Sequence, residues 1–230
     1  MVTNRWPGWP TAAAAALALL GTAAGRSRAD LIYDNGTPPP VAVGGAQFTG
    51  NIHADNFFLP APAVVTDVRF WDYELPGSYS GSVFWAIYAS AGPVPGAPLA
   101  SSETVLVTRT FEAQAPPPFG QQFRDDFSIG PVALEAGTYW LGLHNGPLSL
   151  TTEPPQFLWV LLPTVDGHAF DPAPFPGNWS HVGNELSFQL FGSFVSAGIP
   201  EPGALALLGV GLIGLLGYGR RRGRGTPAAG

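Results

Sequence analysis

Between Asp30 and about Val195 the chain is a series of short apolar or alternating runs, most of them bounded by Gly or Pro. The clearest spans residues 185–190, where Leu186, Phe188 and Leu190 alternate with Glu185, Ser187 and Gln189. Successive side chains point to opposite faces of a strand, so a period of two predicts a strand with one buried face. Residues 123–129 repeat the pattern, setting Phe123, Phe127 and Ile129 against Arg124, Asp126 and Ser128. Residues 64–71 put Val64, Val68 and Phe70 on one face, with Thr66 out of phase. Residues 82–89 and 156–162 are apolar on both faces, as a strand covered on both sides requires. Residues 104–111 and 138–143 complete the set, and no helical period persists. Seven or more strands with turn signals between them predict an all-β domain over residues 30–195. Its expected form is a two-sheet antiparallel sandwich, jelly-roll-like. The runs Pro116-Pro117-Pro118 and 172–176 read as loops, because proline cannot donate into a ladder.

The two ends follow different patterns. Arg5 precedes an uncharged apolar run over residues 11–24, and small residues follow up to Ala29. That order predicts a signal peptide over residues 1–29, a helix in transit, cut by signal peptidase after Ala29. At the other end, Pro200-Glu201-Pro202 closes a linker over residues 196–202. An uncharged apolar stretch, 203–219, comes next, and Arg220, Arg221, Arg222 and Arg224 stand in a basic tail over 220–230. As a helix the stretch would be about 26 Å long, enough to cross a thin hydrocarbon core as a single transmembrane helix. Pro202 suits the first helical turn, and the arginines place the tail on the cytoplasmic side as a membrane stop.

This C-terminal arrangement resembles the PEP-CTERM sorting signal of Gram-negative exported proteins. The matching features are the Pro200-Glu201-Pro202 triplet, the apolar segment and the arginine cluster, in that order. The resemblance implies recognition by an exosortase that cuts near the triplet, so Glu201 and its prolines would be a substrate tag. It also implies inner-membrane anchoring during transit, followed by a place at the cell surface or in an extracellular, biofilm-type matrix. The body is similar to domains associated with such proteins through Val68-Arg69-Phe70-Trp71, Trp85-Ala86-Ile87-Tyr88 and Gly137-Thr138-Tyr139-Trp140-Leu141. It departs from them at Asp72, where a second tryptophan is usual, and the likeness implies no activity.

Composition narrows the partners. Charged residues are only 11% of the chain and there is no cysteine, so disulfides and thiolate metal sites are excluded. Residues 30–195 carry fifteen acidic residues against three arginines, and the chain has no lysine. A body this acidic repels phosphate backbones and argues against nucleic acid as a partner.

Motifs for chemistry are sparse. Gly77-Ser78-Tyr79-Ser80-Gly81 has tyrosine where a nucleophile elbow needs serine. His53-Ala54-Asp55 and Asp166-Gly167-His168 each offer two metal ligands but lack helical metal-site spacing. Asp34, Asp55, Asp166 and Asp171 are candidates for calcium in sandwich loops; turn capping is the simpler role for such aspartates. No other cofactor is indicated. Trp71 and Trp179 are candidates for stacking on sugar rings, with Tyr73 and Tyr79 near them. Two functional classes follow. The first is a non-catalytic surface or matrix protein that binds exopolysaccharide. The second is an extracellular glycan-acting hydrolase using paired carboxylates such as Glu74 and Glu103.

Overall fold

The computed structural model describes residues 29–40, 44–151, 156–163, 167–172 and 177–195. The expected signal peptide, Pro-Glu-Pro triplet, membrane segment and basic tail lie outside these residues. In chain order the strands are β1 (Asp30–Asp34), β2 (Gly45–Gln47), β3 (Asn51–Leu59), β4 (Ala63–Glu74), β5 (Val83–Ser90), β6 (Pro95–Val105) and β7 (Thr108–Gln114). They continue as β8 (Gln121–Leu134), β9 (Gly137–Asn145), β10 (Phe157–Leu162), β11 (His168–Pro172), β12 (Ser180–Val182), β13 (Glu185–Leu186) and β14 (Phe188–Phe194). No helix occurs among the described residues. All strands belong to a compact unit that ends at Phe194.

Two antiparallel sheets result. The six-stranded sheet runs β12-β11-β3-β9-β5-β6. The eight-stranded sheet is organised by β4, which pairs with β8 along one edge and with β14 and then β10 along the other. A core lies between the sheets. Phe70, Phe127, Phe157, Trp159 and Phe188 come from the larger sheet, and Phe57, Leu59, Trp85, Ile87 and Leu141 from the smaller. The alternation of β5 divides its side chains between this core and a second apolar layer. Val83, Trp85 and Ile87 face inward, and Phe84, Ala86 and Tyr88 build the outer layer. The two-faced apolar run in the sequence is thereby explained.

The structure changes three expectations. A β-bulge between Val65 and Asp67 resets the phase of β4, so Val65, not Val64, is the core residue beside Val68 and Phe70. The partner strand β14 shifts register at Phe191/Gly192, where an added Cβ would lie 2.0 Å from the Val64 carbonyl oxygen. Residues 104–111 are not one strand. The chain leaves β6 at Val105 and enters β7 of the other sheet at Thr108, with Leu106 83% exposed at the crossing. On β13 and β14 the alternation is right, yet Glu185, Ser187 and Gln189 are also buried. Ser187 donates to the Gly36 carbonyl at 2.8 Å, and Asn35 donates to Glu185 at 2.9 Å.

Candidate functional site

The outer face of the six-stranded sheet carries a concave surface. Ala54 on β3, Gly142 on β9 and Ala86 on β5 are aligned across the ladder, giving a floor of small residues. A Cβ on Gly142 would approach Tyr88 Cε2 to 2.7 Å and Ile52 Cγ2 to 3.3 Å. Glycine there is what lets the Tyr88 ring lie against the sheet. Trp179 meets Tyr88 edge-on, with ring centroids 5.3 Å apart and planes at 78°. Both rings line a cavity of about 370 Å³ whose polar groups include Ser101 and Glu103. Enclosure by aromatic walls with a few polar groups is the ordinary form of a small-ligand site.

Asp171 fixes the tryptophan. Its two carboxylate oxygens accept the backbone N–H groups of Gly177 and Asn178, at 2.7 and 2.9 Å. The segment leading into Trp179 is thus tied to β11. Burial, and then the Asp171 carboxylate, hold the Tyr88 hydroxyl well above its ordinary pKa, so it remains a neutral donor. Opposite Tyr88 on the neighbouring strand stands Trp140, which borders a second cavity of about 560 Å³ on the same face. The Trp140 indole N–H is buried without an acceptor.

Among the aromatics singled out from sequence, only Trp179 borders this face. Trp71 is 3% exposed, packs with Tyr73 and Leu158, and donates to Glu112 at 3.0 Å, so it presents no free face for stacking. Tyr73 is buried against Phe119, and Tyr79 packs on Arg109. Tyr88 and Trp140 were legible in the sequence only as packing residues. The signal in the sequence for this outer layer is the apolar outer half of β5, Phe84, Ala86 and Tyr88, which demands a cover.

The calcium candidates are not brought together. Asp55 faces the core side of β3, opposite Leu141, and accepts the N–H groups of Asn56 and Leu186. Asp171 is opposite Ile52 on the outer face. Asp34 accepts the Gly36 N–H at an exposed turn, and Asp166 lies outside the described residues. Each described aspartate caps backbone donors, the simpler role. No group of three or more His, Asp or Glu side chains is placed to hold a metal among the described residues.

The carboxylate pair expected for a hydrolase does not form either. Glu74, on the inner side of β4, is ion-paired to Arg109 at 2.8 Å, whereas Glu103 lines the outer cavity of the other sheet. Arg109 also binds Asp72 at 2.8 Å and Asp125 at 2.9 Å, inside the sandwich.

An all-β passenger domain followed by a separate C-terminal signal defines the class: an exported protein with a sorting tag. That tag is the PEP-CTERM protein-sorting motif, which matches residues 198–222 and so covers Pro200, Glu201, Pro202 and Arg220–Arg222. The motif indicates an exported protein sorted by exosortase to the cell envelope. No curated protein matches the chain.

Proposed function

We propose that this protein is a non-catalytic surface or matrix component that binds exopolysaccharide on the outer face of its six-stranded sheet. In this reading signal peptidase removes residues 1–29, residues 203–219 hold the protein in the inner membrane during transit, and exosortase then cuts near Glu201. The cell surface or extracellular matrix is the destination. The observation that carries the binding role is the half-buried Trp179 ring, seated edge-on against the buried Tyr88 over Gly142 at a cavity that also holds polar groups. Charge supports a neutral glycan. Arg69, Arg109 and Arg124, the arginines of the described residues, all sit on the eight-stranded sheet and are paired with carboxylates, so among the described residues this face has no guanidinium for an anionic polymer.

The test is a pull-down of the full chain on exopolysaccharide from a matrix-forming bacterium and on neutral and anionic polysaccharides. Retention on a neutral glycan, weakened about tenfold or more by Trp179→Ala, supports the reading. Absence of retention, or retention untouched by that substitution, overturns it. Release of reducing sugar during the incubation would return the hydrolase reading.

A further inference from the structure

We propose that His53 and His168 together bind a divalent transition-metal ion of the zinc and copper type. The two histidines come from adjacent antiparallel strands. Phe170 is opposite His53 and Ala169 opposite Ala54, which sets His168 diagonally from His53 on the same side of the sheet. This is the side away from the Tyr88–Trp179 face, so the inference is independent of the glycan site. Both rings are buried, and both line a cavity of about 350 Å³ with Gln47, Asn51 and Asn184.

A backbone carbonyl sets the tautomer of His168. His168 Nδ1 lies 2.9 Å from the Asn184 carbonyl oxygen. A carbonyl only accepts, so Nδ1 carries the proton and Nε2 keeps its lone pair. His53 Nδ1 is buried with no partner. One N–H anchored on a carbonyl and the other nitrogen bare is the state in which histidine ligates metals.

The spacing fits a shared ion. With a metal–nitrogen distance of ~2.0–2.1 Å, each ring centre stands about 3.2 Å from the ion, and tetrahedral ligation puts the two centres about 5.2 Å apart. The His53 and His168 centroids are 5.1 Å apart. Imidazole selects zinc, copper or nickel over calcium. With two protein nitrogens, the remaining positions fall to water or to amide oxygens of the cavity wall, giving an exchangeable site and not a closed structural one.

The experiment is equilibrium dialysis of the untagged full chain against Zn²⁺, with Ca²⁺ as the comparison, and electron paramagnetic resonance of the chain loaded with one equivalent of Cu²⁺. The expected result is retention of zinc but not calcium, and a copper signal split by two imidazole nitrogens. His53→Gln and His168→Gln should each weaken zinc binding about tenfold or more, and His181→Gln should leave it unchanged. Failure to retain zinc, retention indifferent to both substitutions, or a copper spectrum without two imidazoles overturns the proposal. The copper spectrum of the unsubstituted chain decides the matter even if a variant does not fold.

Discussion

One guanidinium nitrogen of Arg109 reaches both carboxylate oxygens of Asp72, at 2.8 and 3.0 Å, inside the sandwich. The other two nitrogens hold Glu74 and Asp125, and the Tyr79 and Phe123 rings lie 4.4 and 4.3 Å from the guanidinium carbon. One cation therefore neutralises part of the charge of three carboxylates on β4 and β8. Removing it strands them. Arg109→Met is expected to cost about 3–5 kcal/mol, the usual penalty for leaving one half of a buried ion pair, measured as a shift of the urea midpoint. A loss under about 1 kcal/mol would mean that the carboxylates find water instead.

The same cluster sets a pH dependence. Asp72 is held well above the ordinary carboxylate range by burial and by Asp125, with Arg109 opposing. A proton on Asp72 directed at Asp125 also meets the one buried Asp125 oxygen that has no other partner. A carboxyl whose folded pKa is raised binds more protons folded than unfolded, so its contribution to stability shrinks as pH rises above about 4. The chain is expected to lose stability on that account through the interval up to the raised pKa. Asp72→Asn, which keeps a donor without the charge, should flatten the slope. Stability against pH for both proteins checks it, and an unchanged slope would place the proton elsewhere.

How far the sequence reveals this molecule depends on the range of the interaction concerned. The period of two along residues 185–190 identified Leu186, Phe188 and Leu190 as core, because strand alternation is local. It missed the burial of Ser187 and Glu185, because their partners, Gly36 and Asn35, arrive from the opposite end of the chain. Asp72 could be noted as a departure from a tryptophan. Nothing local announces that Arg109, thirty-seven residues on, will fold against it. Trp71 and Trp179 each stand next to a polar residue in sequence, Asp72 and Asn178, and the packing of Ala115 and Phe119 distinguishes the covered one. The sorting tag was fully legible, since its recognition rests on contiguous residues.

That tag carries its own prediction. Glu201→Ala should leave export intact and block the cut, so that a product retaining residues 203–230 accumulates in the membrane fraction. Intact-mass measurement distinguishes it from the processed form. Normal processing of the variant would show that the glutamate is not part of what the exosortase reads.

Gly142 offers a test in which two effects have opposite signs. Replacing a strand glycine with alanine ordinarily gains roughly 0.5–1 kcal/mol through backbone entropy. Here the new Cβ would sit 2.7 Å from Tyr88 Cε2, so the ring must leave its place. Gly142→Ala is expected to destabilise the chain by about 1–3 kcal/mol, as overpacking does, and to weaken glycan retention in parallel. A stabilised variant would show that Tyr88 moves aside freely and does not form a fixed wall.

Trp71 and Trp179 separate stability from recognition. Trp71 is enclosed by Tyr73, Ala115 and Leu158 and gives its N–H to the exposed Glu112, so the main effect of Trp71→Ala is a cavity. The expected cost is about 3–5 kcal/mol, with the glycan affinity of the folded fraction unchanged. Trp179 is half-buried and contributes mainly the ring that faces Tyr88. Trp179→Ala should cost only about 1–2 kcal/mol and abolish most retention on the neutral glycan. Urea unfolding and pull-down on the same two variants give a crossed pattern, in which the more damaging substitution for folding is the harmless one for binding. If both variants lost affinity in proportion to stability, the outer face would be a structural surface and the glycan would bind elsewhere.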